Sequence, residues 1–149
     1  ICIAKKVMNK RLTVITNSLI IADLFSASAK KLILLGGEFD ASRRIFIGKT
    51  TELSMLRYYF DKAFVSCESI HTEHGITDSS ELNAQIRRLA IERSNKTYLA
   101  VDNTKFNKTS IYFISELDKI TSIITDKPLS SNWVSALKQH KVNYIIAEK

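Results

Sequence analysis

The side chains best suited to chemistry gather in a few short polar segments: Thr16-Asn17-Ser18, Gly36-Gly37, Cys67-Glu68-Ser69, Asp102-Asn103-Thr104-Lys105 and Thr125-Asp126. Their residues are small, hydroxylated, amide-bearing or charged, a set that suits a polyhydroxylated or phosphorylated small molecule. A helix N-terminus after Ser18 and the backbone amides of Gly36-Gly37 can each hold an anion. Lys105 is the candidate partner for the anionic group of such a ligand. Asp102 reads two ways, as a group that orients Lys105 or accepts sugar hydroxyls, and as a cap at a strand end. Thr16 and Asn17 can donate to a ligand, and Asn17-Ser18 equally suits the start of the next helix. Gly36 and Gly37 serve a turn as readily as a close ligand approach. Glu68 either faces the ligand or pairs with a basic neighbour.

Other reactive residue types carry less. His71, Glu73 and His74 are metal-ligating types within one loop, but zinc needs a third or fourth protein ligand and no such partner is evident. No metal and no cofactor is assigned. Cys67 has no His/Asn signature of a nucleophile and reads as a small buried hydrophobe. Asn95-Lys96-Thr97 and Asn107-Lys108-Thr109 match glycosylation sequons without a secretion signal to give them meaning. Tyr58-Tyr59-Phe60 and Trp133 read as core or subunit interface.

The elements that must position these segments alternate. Leu12–Thr16 is a β-branched strand, and Ser18 caps an amphipathic helix over Leu19–Ala29. Leu32–Leu35 is a buried strand stopped by Gly36-Gly37. Ile45–Ile47 forms a short strand before Gly48, followed by a helix near Thr51–Tyr59. Lys62–Cys67 is a strand, His71–Asp78 a polar loop around Gly75, and Glu81–Ser94 a helix with Leu82, Ile86, Leu89 and Ala90 as its apolar stripe. Thr97–Val101 and Ile120–Thr125 are strands, Trp133–Gln139 a helix, and Tyr144–Ala147 a closing strand. Continuous apolar strands separated by helices indicate a parallel sheet covered on both faces. The expected fold is α/β, a three-layer, doubly wound, mostly parallel, Rossmann-like sheet. Such sheets bind ligands at the carboxyl ends of their strands, where the polar segments above fall.

Composition sets the class. The chain has 149 residues, 45% hydrophobic and 25% charged, with four Gly and one Pro, which excludes collagen-like, linker-like and low-complexity classes. That length suits one domain with a core that needs no staples. Two cysteines, Cys2 and Cys67, give no disulfide framework, and no apolar run approaches the roughly 18–20 residues of a membrane span. The chain therefore reads as a cytoplasmic domain. It opens within an amphipathic pattern (Ile1, Ile3, Ala4, Val7, Met8) with no preceding cap, as expected of a piece of something longer. Its 22 Lys+Arg against 15 Asp+Glu give a net charge of +7. The basic pairs Lys5-Lys6, Lys10-Arg11, Lys30-Lys31, Arg43-Arg44 and Arg87-Arg88 are dispersed, and no helix-turn-helix, zinc-finger or RNA-binding pattern accompanies them. Direct sequence readout of nucleic acid by these residues is not expected.

Taken in order, ITNS (Ile15–Ser18), LLGGE (Leu34–Glu38), IG (Ile47-Gly48), FDKAFVS (Phe60–Ser66), HGIT (His74–Thr77), VDNTKF (Val101–Phe106) and LDKITSIITD (Leu117–Asp126) resemble the C-terminal sensor domain of DeoR-family bacterial transcriptional repressors, from about Leu12 to the end of the chain. The resemblance implies a fold related to ribose-5-phosphate isomerase and glucosamine-6-phosphate deaminase. It further implies a phosphorylated sugar or catabolic intermediate as effector, an upstream winged-helix domain that binds DNA, and homo-oligomerisation. The family's phosphate-gripping Ser-Gly-Thr-Thr turn would precede the opening helix, outside this sequence. Its Gly-Ala-Asp-Gly after the FDKAF strand is Ser66-Cys67-Glu68-Ser69 here, and its usual Glu and Lys on the next helix are Asn83 and Arg87. Arg87 keeps the charge and can grip a phosphate with two parallel hydrogen bonds, which lysine cannot.

The expected function is a non-catalytic effector-binding domain spanning residues 1–149, with Thr16, Asn17, Gly36, Gly37, Glu68, Arg87, Asp102 and Lys105 as effector contacts. The alternative is a sugar-phosphate isomerase or deaminase. That chemistry needs a positioned base, and beside Asp102 and Asp126 only Glu68 stands at a suitable strand end, without a recognisable constellation around it.

Overall fold

The computed structural model describes residues 2–8, 10–27 and 31–147. The chain forms two compact units, Ile1–Arg57 and Tyr58–Lys149. No helix among the described residues is long and apolar enough to cross a membrane.

In the first unit, α1 (Cys2–Val7) precedes β1 (Thr13–Thr16), α2 (Leu19–Ser26), β2 (Lys31–Leu34), β3 (Glu38–Asp40), β4 (Ile45–Ile47) and α3 (Lys49–Met55). β-Branched side chains favour the extended backbone of β1, which pairs in parallel with β2 from Thr13↔Lys31 to Thr16↔Leu34. Ser18 caps α2 as expected, its Oγ accepting from Ile21 N at 3.4 Å. Ala29, the expected end of that helix, and Lys30 lie outside the described residues, as does Ile1. The β3–β4 hairpin was not legible as such. Its turn is built by Asp40, whose carboxylate accepts from Ser42 Oγ (2.6 Å), Ser42 N (3.0 Å), Arg43 N (3.1 Å) and Arg43 Nη1 (2.9 Å). These bonds, first that from the Ser42 hydroxyl and then those from Arg43, pull the carboxyl down to about 2. Helix α3 starts earlier and ends earlier than the expected Thr51–Tyr59, because Gly48, at φ 85°, turns the chain into it and Leu56 N closes back onto Glu52.

The second unit contains β5 (Phe60–Val65), β6 (Ser69–His71), β7 (Gly75–Asp78), α4 (Glu81–Glu92), β8 (Ser94–Ala100), β9 (Tyr112–Ser115), β10 (Ser122–Thr125), α5 (Ser131–Gln139) and β11 (Asn143–Ile146). A four-stranded parallel sheet runs in the order β11-β10-β8-β5, with helices packed on it. This is the α/β, Rossmann-like class that the alternating elements predict. Its core includes Ile70, Ile76, Leu99, Ile114, Leu117, Ile123 and Leu137, all fully or almost fully buried. Trp133 belongs to that core as expected, with Nε1 donating to Asn107 Oδ1 at 2.8 Å and its ring edge-on to Phe106. Tyr59 does not: it is 82% exposed, with the Arg93 guanidinium 4.3 Å from its ring centre.

The expected polar loop His71–Asp78 is instead a hairpin. β6 and β7 pair antiparallel, β9 adds to β7, and all four residues of β7 are buried. The β8-to-β10 connection carries the strand β9, for which the sequence reading named no element. On α4 the buried residues are Asn83, Ala84, Ile86 and Ile91, whereas Leu82 is exposed. The stripe is rotated because α4 packs on β9 and β7 as well as on β5 and β8.

Candidate functional site

In parallel strands the carboxyl ends share one edge, so the termini of β5, β8 and β10 lie side by side and extend into Ser66–Ser69, Asp102–Lys105 and Asp126. The side chains knit these loops together. Lys105 Nζ donates to Glu68 Oε1 at 3.0 Å, joining the loop after β8 to the loop after β5. Asp126 Oδ1 accepts from Asn103 N at 2.7 Å, joining the loops after β10 and β8.

Asp102 caps the short 3-10 turn Asn103–Lys105 by accepting from Thr104 N (2.9 Å) and Thr104 Oγ1 (2.5 Å). Of its two readings, the capping one is thus realised in the structure. The Thr104 bonds, the hydroxyl's first, hold its carboxyl below the ordinary range. That carboxylate stays ionised beside Lys105 at neutral pH.

Cys67 is buried in the loop after β5, the outermost strand of this sheet. Burial pushes its thiol up to about 12, while the charges of Arg87 and Lys105 pull it down and those of Glu68 and Asp102 push it up. The thiol itself, protonated and buried, is not a nucleophile.

Arg87 projects from α4 and is ion-paired with Asp78 of β7, whose side chain is 5% exposed. Its Nη2 also reaches Ser66 Oγ at 3.5 Å. Asp78 is the residue that sequence reasoning missed. A carboxylate at the end of an apparent polar loop carried no signal, and the Gly75-Ile76-Thr77-Asp78 alternation is too short to announce a strand. Gly75, at φ 67°, starts that strand. A Cβ there would lie 2.6 Å from the Ser115 carbonyl oxygen, so β9 can approach only a glycine.

In the first unit, Thr16 and Leu34 end paired strands, and Leu35 N donates to Thr16 O at 2.8 Å, which sets Thr16 beside the Gly36-Gly37 turn. Thr16 Oγ1 accepts from Ser18 N at 3.1 Å. Asn17 Nδ2 donates to Phe46 O at 2.8 Å, so its amide braces β4. Thr51, fully buried, donates from Oγ1 to Gly36 O and Ile47 O. A Cβ on Gly37 would meet Thr51 and sit 2.7 Å from Ile47 O, so close packing of the turn on α3 requires this glycine. Gly36 has open space where a Cβ would be.

The sequence pattern of the DeoR C-terminal sensor domain matches residues 1–127. The chain belongs to this family. Similar proteins include the L-fucose operon activator of Haemophilus influenzae, 34% identical over 135 residues, covering 90% of this chain and 54% of that protein. The HTH-type transcriptional regulator IolR of Bacillus subtilis is 29% identical over 139 residues (93% and 55%). A putative aga operon transcriptional repressor of Escherichia coli O157:H7 is 28% identical over 144 residues (95% and 54%). The chain thus spans about half the length of these relatives. They are named as transcriptional regulators, and this DeoR-family chain is a sensor domain. The alternative of an isomerase or deaminase is set aside on that ground.

Within the DeoR sensor frame, the charged edge of the second unit has a plain chemical character. Lys105 and Arg87 are cations already matched by Glu68 and Asp78, so an anionic ligand must compete with carboxylates for them.

Proposed function

We propose that the chain is the effector-binding domain of a transcriptional repressor of sugar metabolism, and that its effector is a phosphorylated sugar or a related intermediate. The observation that carries this reading is the Lys105 Nζ–Glu68 Oε1 contact of 3.0 Å, which joins the loops after β8 and β5 at the carboxyl edge of the parallel sheet. Lys105 takes the anionic group, the carboxylates accept sugar hydroxyls or set the cations, and Arg87 adds a planar guanidinium held by Asp78. Thr16, Asn17, Gly36 and Gly37 are assigned as further effector contacts on their residue types and on the family resemblance. That two relatives are named as regulators of an L-fucose and an aga operon supports a sugar-responsive role.

In this reading residues 1–149 form one effector domain of a cytoplasmic homo-oligomer, and an upstream winged-helix domain binds DNA. Effector binding then alters DNA affinity through the free-energy difference with which it binds two states of the protein. A thermal-shift screen against sugar phosphates and the matching free sugars tests the proposal. A ligand that binds only the native state raises the melting temperature, by about 2.7 kcal/mol of stabilisation at a hundredfold excess over Kd. The expected result is a selective shift by one phosphorylated sugar, recovered chemically intact. Lys105→Ala is expected to weaken its binding by about 10- to 150-fold, the worth of a hydrogen bond to a charged group, with little effect on the free sugar. Equal losses for both ligands would remove the phosphate assignment.

A further inference from the structure

We propose that the tip of the β6–β7 hairpin is a binding site for a divalent transition metal of the zinc class, formed by His71, Glu73 and His74. The sequence alone offers these three residue types on one loop; the structure brings one ligand atom of each near the others. Because β6 ends at His71 and β7 starts at Gly75, the three side chains are carried on one tight turn rather than on a polar loop. One ligand atom from each lies within 4.8 Å of the others. Bonds of 2.0–2.1 Å to a tetrahedral ion place its donors about 3.3 Å apart, so the set must close by roughly 1.5 Å. Glu73 and His74 are exposed and His71 is partly exposed, so rotation of their side chains can supply that movement.

The two imidazoles lie side by side at this turn. Their rings stack with centres 4.6 Å apart and planes inclined by 21°. The Glu73 backbone N–H donates to His71 Nδ1 at 3.2 Å and occupies that lone pair, so ligation through Nδ1 requires the side-chain rotation to release it. His74 Nδ1 lies 3.0 Å from Thr109 Oγ1. With Nδ1–H donating to that hydroxyl, Nε2 carries the lone pair. An oxygen partner behind a ligating imidazole is what orients such ligands in metal sites. Two imidazoles and one carboxylate match zinc, nickel and copper better than calcium or magnesium, which take oxygen ligands. Three protein ligands on an exposed turn leave the outer coordination position open to water or to a donor from another molecule.

The test is a titration of the purified protein with Co2+, followed by its visible d–d bands, and displacement by Zn2+. The expected result is one saturable site whose cobalt spectrum is lost on adding zinc. His71→Asn and His74→Asn are each expected to weaken binding at least about tenfold, and Thr109→Val by about tenfold, the low end of the range typical for a group that orients a ligand. Long-range 1H–15N spectra of the unaltered protein give a second reading that needs no variant. Zinc should shift the ring nitrogens of His71 and His74 and leave those of His140 in place. Saturable binding that survives the double variant His71→Asn/His74→Asn, or an absence of imidazole shifts on adding zinc, would overturn the proposal.

Discussion

Glu68 stands in this chain where a carboxylate competes for the lysine proposed to hold the effector, and replacing it is predicted to tighten binding. In Glu68→Gln the side chain keeps its shape and loses the charge that faces Lys105 Nζ at 3.0 Å. Two contributions then change. The first is the ion pair itself. The Lys105 and Glu68 side chains are 28% and 50% exposed. Solvent screening holds such pairs to roughly 0.2–1 kcal/mol. The second is repulsion between Glu68 and a phosphate seated on Lys105. A dianion about 5 Å from the carboxylate is repelled by about 1.7 kcal/mol in water. Salt at physiological strength reduces that by roughly half. Together they amount to about 1–2 kcal/mol, which is a 5- to 30-fold gain in affinity. Isothermal titration with the best phosphorylated ligand and with its free sugar provides the assay. The gain should be confined to the phosphorylated ligand and should shrink as salt is added. Weaker binding of both ligands by Glu68→Gln would refute the reasoning, because it would mean that Glu68 accepts sugar hydroxyls rather than occupying Lys105.

Three further predictions concern groups whose behaviour is set by burial. With its thiol raised to about 12, Cys67 should resist iodoacetamide at pH 8 in the native protein while exposed Cys2 reacts. Mass spectrometry should show one carbamidomethyl group under native conditions and two in guanidinium chloride; native labelling of Cys67 would contradict its burial. The same shift has a sign in alkali. The folded state keeps the Cys67 proton longer than the unfolded state, so stability should fall as pH rises from about 9 towards 12, and Cys67→Ala should reduce that fall. Asp78→Ala leaves the Arg87 guanidinium without its buried counter-charge and is expected to cost about 3 kcal/mol, read as a lowered urea midpoint with unchanged slope. A loss below about 0.5 kcal/mol would show that the pair is not a structural anchor.

The alternation of β-branched runs with amphipathic segments determined the α/β class from sequence, because parallel strands packed by helices carry apolar runs, which β11 keeps although its residues are exposed. β1, β2, β5, β8, β10 and β11 each overlap a run visible in the sequence, and Ser18 caps α2 where its residue type predicts. The polar strand ends were legible for the same reason, since a strand that leaves the core must end in residues that tolerate water. Among the short antiparallel strands β4 was legible, as Ile45–Ile47, but β3, β6, β7 and β9 were not. β6, β7 and β9 span three or four residues each, too few for a period to show, and β9 gains its partner from β7 more than thirty residues earlier in the chain.

From the same limit follow the features that only the tertiary structure decided. Sequence could pair Lys105 with any nearby carboxylate, but the order β10-β8-β5 makes that partner Glu68. It could propose Arg87 as a phosphate grip, but the β7 strand delivers Asp78 to its guanidinium. It could count His71, Glu73 and His74, but only the hairpin turns them towards one point. Residue type sets what a side chain can do, and patterning sets which face it lies on. Which charges meet depends on contacts between segments far apart in the chain, and no local pattern records those.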